Sequence, residues 1–131
     1  MFVSENLTVN EKGHLAVSGV DTVELAKEYG TPLYVMDEAM IRSACRRFKK
    51  SIDEFYGGAG LVCYASKAFS CKEIYRIVDS EGVGADVVSG GELYTAASVG
   101  FPMDKVCFHG NNKTDEELEL AVEKKVGRII V

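Results

Sequence analysis

The stretch Leu61-Val62-Cys63-Tyr64-Ala65-Ser66-Lys67-Ala68-Phe69-Ser70 decides the fold. An apolar, strand-forming run stops at Ala65, a lysine follows two positions on, and Ser70-x-x-Glu73 then has the form of a helix start. The pattern predicts a strand handing over to a helix, with Lys67 at the strand's carboxyl end. In an α/β fold that end is the mouth where ligands sit. A half-buried amine there makes a good nucleophile, because desolvation disfavours the ammonium form and frees the lone pair. The plainer reading is a solvated surface lysine.

Working outward, apolar runs begin near Leu61, Ala85, Val106 and Ile129, and the first three are each followed by a polar start signal and an amphipathic segment. That rhythm predicts successive βα units of a parallel sheet. Ser70-x-x-Glu73, Ser89-x-x-Glu92 and Thr114-x-x-Glu117 share the capping-box form, in which a hydroxyl and a carboxylate satisfy orphan amides at a helix start. Capping is therefore the first explanation of Ser89 and Glu92.

Upstream, Met40, Ile41, Ala44, Phe48, Ile52 and Phe55 repeat at helical spacing between Asp37 and Tyr56, with Arg42, Arg46, Lys49 and Lys50 read as a solvated face. Gly57-Gly58-Ala59-Gly60 closes this helix. It is no phosphate loop, since such a loop follows a strand and opens a helix. Asp21-x-x-Glu24 opens a shorter helix that stops near Gly30, and Thr31-Pro32 precedes a predicted short strand, Leu33-Tyr34-Val35-Met36. Before these, Glu11-Lys12-Gly13 reads as a turn and His14-Leu15-Ala16-Val17-Ser18 as a strand outside the βα repeat, expected to seek a partner beyond this chain.

The 131 residues carry 15 basic and 20 acidic side chains, a net charge of −5, with no long basic cluster, so nucleic-acid binding is disfavoured. No apolar run is long enough to span a bilayer, and Met1-Phe2-Val3-Ser4-Glu5-Asn6 lacks the basic start and apolar run of a signal peptide, so no membrane is expected and the location is read as cytoplasmic. Cys45, Cys63, Cys71 and Cys107 lack metal or disulfide spacing, and Cys63 and Cys107 are read as small hydrophobes within strands. No metal site is expected.

If the strands are parallel, Lys67, the segment Asp86 to Gly91 and the segment His109 to Lys113 converge at one rim. Asp86 could equally be a buried, hydrogen-bonded carboxylate, and Gly90-Gly91 could admit either a packing neighbour or a ligand. His109-Gly110-Asn111-Asn112 is also a plain turn by composition.

Three motifs in order, Tyr64-Ala65-Ser66-Lys67-Ala68-Phe69, Gly84-Ala85-Asp86-Val87-Val88-Ser89-Gly90-Gly91-Glu92-Leu93-Tyr94 and Phe108-His109-Gly110-Asn111-Asn112-Lys113-Thr114-Asp115-Glu116-Glu117-Leu118, closely resemble the diaminopimelate decarboxylases. Gly19 to Ala26 and Gly30 to Val35 also look like the opening of such enzymes. The resemblance implies an α/β fold, the N-terminal part of a pyridoxal-phosphate-binding (β/α)8 TIM barrel of the alanine-racemase-like kind, with a C-terminal β domain beyond it. Residues 1–30 would be an N-terminal segment leading into the barrel and 31–131 its first βα units.

On that resemblance Lys67 matches the lysine that holds pyridoxal 5'-phosphate as a Schiff base, Asp86 matches an acidic position near the cofactor, and His109 falls in a cofactor-binding segment. Phe69 stands where related racemases and polyamine-pathway decarboxylases have asparagine, which favours the diaminopimelate branch. The implied reaction is decarboxylation of meso-diaminopimelate to L-lysine and carbon dioxide, the last step of lysine biosynthesis, by a homodimeric full-length enzyme. Alternatives are an amino-acid racemase, an arginine or ornithine decarboxylase, or a non-catalytic pyridoxal-phosphate-binding protein.

A complete barrel needs about 250 residues, so the chain corresponds to the first third of such a two-domain enzyme. The groups for the phosphate, the pyridine nitrogen and the substrate are expected in the remainder. The 131-residue chain alone is expected to be inactive and to self-associate through its open sheet edge.

Overall fold

The computed structural model describes residues 4–131, which fall into two compact units, one ending at Ala39 and the other running Met40–Val131. Residues 1–3, on which part of the signal-peptide reading rests, lie outside the described residues.

In the first unit β1 (Leu7–Val9), β2 (Leu15–Val17) and β3 (Val20–Asp21) form an antiparallel sheet in that order, followed by α1 (Thr22–Tyr29). The strand expected to need an outside partner finds one inside the chain, because the turn before it is a hairpin loop. Asn10 Oδ1 accepts from the backbone of both Lys12 and His14 at 3.0 Å, Gly13 takes the positive φ the loop requires, and Leu7 comes opposite Val17. Asp21 caps α1, accepting from the amides of Val23 and Glu24, while His14 Nδ1 lies 2.9 Å from its Oδ2. The histidine contact first, then Asn10 and the two amides, hold the Asp21 carboxyl far below the usual range against the opposing effect of desolvation. The helix stops at Gly30, as its sequence predicts. Leu33–Met36 is not a strand: apolar residues alone make no ladder, and no strand pairs with it among the described residues.

The second unit holds α2 (Glu38–Tyr56, begun at the end of the first unit), β4 (Cys63–Ala65), a single 3-10 turn (Ser66–Ala68), α3 (Lys72–Ser80), β5 (Gly84–Val87), α4 (Gly90–Ala97), a second 3-10 turn (Met103–Lys105), β6 (Val106–Phe108), α5 (Asp115–Glu123) and β7 (Arg128–Ile129). The four strands are all parallel, in the order β4-β5-β6-β7, so the βα rhythm of the sequence is the rhythm of the fold.

Register sorts the side chains into two faces. Tyr64, Ala85 and Val106 align across one level, and Val87, Phe108 and Ile129 across the next. This face carries the core: Val83, Ala85, Val87, Val106 and Phe108 are buried against Ile74, Tyr75 and Val78 of α3, Leu93 and Ala96 of α4, and Ala121 of α5. Tyr75 and Phe101 meet edge to face, with centroids 5.9 Å apart. Ala65, Asp86, Cys107 and Arg128 align on the opposite face, half-buried or exposed, with Cys63 two residues behind Ala65. Cys63 and Cys107 are thus not core hydrophobes: the alternation of the strands turns them away from the helices.

Two further expectations change. The capping box at Ser70 does not form, because α3 begins at Lys72 with Cys71 as its cap, which leaves Glu73 one position short of the place the box requires. Ser70 Oγ lies 3.2 Å from the Tyr75 hydroxyl instead, and Glu73 pairs with Arg76 at 2.9 Å. Nor are Arg42 and Arg46 a merely solvated face. Arg46 grips both carboxylate oxygens of Glu81 at 2.8 and 2.7 Å, and Arg42 donates to one of them at 2.9 Å, tying α2 to the end of α3.

Candidate active site at the strand ends

The carboxyl ends of β4, β5 and β6 lie side by side, since Ala65 aligns with Asp86 and Asp86 with Cys107. Lys67 and His109 each lie two residues beyond that level. The three residues singled out from the sequence therefore come to one rim.

Lys67 sits in the 3-10 turn that closes β4. It is exposed rather than half-buried, because the strand ends two residues earlier and the turn lifts the side chain off the sheet. Its neighbours are fixed. Ser66 is completely buried, with Oγ 2.9 Å from Asp86 O and 3.0 Å from Glu92 Oε2. Phe69 N donates to Ser66 O at 3.1 Å and the Tyr64 hydroxyl to Phe69 O at 2.8 Å. Burial, more than any neighbouring charge, pushes the Tyr64 hydroxyl above its ordinary value.

Asp86 is half-buried on the face away from the core, and its carboxylate makes no hydrogen bond or ion pair among the described residues. The alternative of a buried, hydrogen-bonded carboxylate is thereby set aside. His109 is exposed; its backbone N donates to Val87 O at 2.8 Å and its ring has no partner among the described residues.

Several polar groups near this rim are committed to structure. Glu117 completes the capping box with Thr114 and also reaches Gly90 N at 2.6 Å, so Gly90 serves packing. These two amides, Gly90 first, hold the Glu117 carboxyl below its usual value. Lys113 Nζ donates to Gly110 O at 2.5 Å and Ile130 O at 2.6 Å, fastening the loop after β6 to the chain after β7. Lys67, Asp86 and His109 have no such partner among the described residues, and neither do Asn111 and Asn112 of the loop after β6. That fits an aldehyde-bearing aromatic cofactor, whose aldehyde needs an unpaired amine and whose polar edges need unpaired donors and acceptors.

Sequence reasoning missed Ser66 and the second role of Glu92. The signal was present, a serine directly before the lysine, but the spacing of Glu92 from Ser89 already had an explanation in capping.

A parallel sheet of βα units with a carboxylate near the carboxyl end of one strand, and an amine and an imidazole just past the ends of its neighbours, is the architecture of a cofactor-binding α/β-barrel domain. A family model described as "Pyridoxal-dependent decarboxylase, pyridoxal binding domain" matches residues 38–131, and the chain belongs to that family. It is 54% identical over its whole length to a diaminopimelate decarboxylase of Bacillus methanolicus and 48% identical to that of Bacillus subtilis, covering 30% of each. Among solved structures, the diaminopimelate decarboxylase of M. jannaschii in co-complex with L-lysine superposes with a TM-score of 0.86 at 37% identity, over 100% of this chain and 31% of that one. The chain thus spans about a third of the length of the relatives it matches. No helix among the described residues is long and apolar enough to cross a membrane.

Proposed function

We propose that this chain is the opening part of the cofactor-binding barrel of a diaminopimelate decarboxylase, with residues 1–30 leading into the barrel and 31–131 its first βα units. Lys67 is the residue that takes the aldehyde of pyridoxal 5'-phosphate, and Asp86 and His109 flank the cofactor. The observation that carries this reading is that these three side chains share one rim and are left without hydrogen-bond partners among the described residues, while Ser66, Glu92, Lys113 and Glu117 around them are all engaged. The names of the relatives support the substrate, meso-diaminopimelate, and the product, L-lysine with carbon dioxide.

When bound, the cofactor supplies an electron sink for the pair left on carbon as carbon dioxide departs. The residues of this chain supply placement. Lys67 would hold the cofactor through its aldehyde, its side-chain amine being the nucleophile the site provides. Asp86, on the neighbouring strand, presents a negative charge to that side of the site, and His109 a ring that can donate or accept according to its tautomer. A homodimer in the cytoplasm goes with this reading.

The test is borohydride reduction of the protein with pyridoxal phosphate, followed by peptide mapping. Selective labelling of Lys67 is expected; equal labelling of the other lysines overturns the assignment.

A further inference from the structure

Glu92 departs from the cap its spacing describes. Ser89 Oγ accepts from Glu92 N at 3.3 Å, but the carboxylate turns elsewhere: Oε2 accepts from Val88 N at 2.6 Å and lies 3.0 Å from Ser66 Oγ. Ser66 Oγ has one proton and two acceptors in reach, Glu92 Oε2 and Asp86 O. It is therefore held between the first turn of α4 and the backbone of β5. The residue directly before Lys67 is buried and fastened, and Phe69 is fastened on the other side. Lys67, between them, is exposed and its amine is unpaired among the described residues.

We infer that Glu92 is a positioning residue that acts through Ser66 to fix the turn from which Lys67 reaches the cofactor's aldehyde. The inference rests on the assignment of Lys67 proposed above. Lysine is a flexible four-carbon stem, so the direction of attack is set by the backbone that carries it. A turn pinned on both sides confines the amine to the volume in front of the strand end, whereas a loose turn spreads it over many orientations and lowers its effective concentration at the aldehyde. Glu92 reaches the turn across two elements, from 26 residues further along the chain than Ser66, which no local motif would achieve.

The test is made on the full chain with two readouts: the preference of pyridoxyl label for Lys67 over the other lysines after borohydride reduction, and amide hydrogen exchange at Phe69. Glu92→Ala and Ser66→Ala are each expected to cut the preference and speed exchange by about tenfold. The double variant is expected to lose no more than either single one, because both break the same connection. Glu92→Gln keeps an acceptor oxygen and is expected to stay near the parent. Glu81→Gln, which removes the pairing of α2 with α3 away from this rim, is expected to lower the melting temperature and leave both readouts in place.

Unchanged readouts in Glu92→Ala, additive losses in the double variant, or equal losses in Glu81→Gln would each overturn the inference. Should the parent chain show no preference for Lys67, the proposed assignment of that lysine fails. Exchange at Phe69 still decides the clamp: faster in Glu92→Ala supports it, unchanged refutes it.

Discussion

Glu117 Oε1 accepts a hydrogen bond from Gly90 N at 2.6 Å, so a side chain from the first turn of α5 caps the start of α4. Its other oxygen accepts from Thr114 N at 3.0 Å, within its own helix. One carboxylate thereby closes two helix starts at the rim that carries the candidate site. The absence of a side chain at Gly90 is part of the arrangement, since a Cβ there would meet Glu117 Cγ at 3.1 Å and Oε1 at 3.2 Å.

Truncation should separate the two roles. Thr114→Ala removes one cap and is expected to cost about 1 kcal/mol in urea unfolding. Glu117→Ala should cost more, because it strips an acceptor from the amides of both Thr114 and Gly90. A loss in Glu117→Ala no larger than in Thr114→Ala would show that the bond to Gly90 adds nothing.

Acid should loosen the junction of α2 and α3. The hydrogen bonds of Arg46 first, then Arg42, bring the Glu81 carboxyl from 4.5 down to about 2. A carboxyl whose folded value lies below its unfolded one stabilises fully above the unfolded value and loses that contribution as pH falls towards the folded one. The melting temperature of the parent chain is therefore expected to fall more steeply between pH 5 and about 2 than that of Glu81→Gln, which has no carboxylate to protonate there. Parallel curves for the two proteins would refute this.

Glycine at position 84 is required by its neighbours. A Cβ would stand 2.5 Å from Lys105 O and 3.0 Å from Cys63 Sγ, and the first of these is backbone that cannot swing aside. Gly84→Ala is expected to destabilise by about 1 to 3 kcal/mol, the usual range for overpacking. Gly91→Ala is the control, since its Cβ would meet only Ser89 Oγ, at 3.9 Å, and helix propensity favours it by about 0.5 to 1 kcal/mol. Equal effects in denaturant melts of the two variants would count against the close approach.

Most of this architecture is legible in the chain because it is written in local terms. The strands at Cys63, Gly84, Val106 and Arg128 follow apolar runs, and the stops at Gly30 and Gly57 follow glycine's access to positive φ. What the sequence hides depends on partners distant along the chain. Leu33–Met36 has the composition of a strand yet pairs with nothing among the described residues, and Ser70 fits a capping motif that a one-residue shift of the helix start disables. The same holds at the rim. The positions of Lys67, Asp86 and His109 could be read from strand ends, whereas the bond from Glu92 to Ser66 spans 26 residues and left no periodic mark.

Cys63 offers a probe of the charge on the open face of the sheet. Burial, and then the Cys107 thiol through its charge and a hydrogen bond, push the Cys63 thiol up to about 11; Asp86 adds to the rise and Arg128 opposes it. Thiolate is the reacting form, so alkylation by iodoacetamide at pH 8.5 should be slow at Cys63. Asp86→Asn removes a charge that disfavours the thiolate and should speed the reaction, by about two- to fivefold for a partial contribution of this kind. Arg128→Gln should slow it, because the guanidinium favours the thiolate. Mass mapping of the alkylated peptides reads both changes in one experiment. Identical rates in the two variants would mean that the Asp86 carboxylate does not act on this face, which would also weaken its placement beside a cofactor at the same strand end.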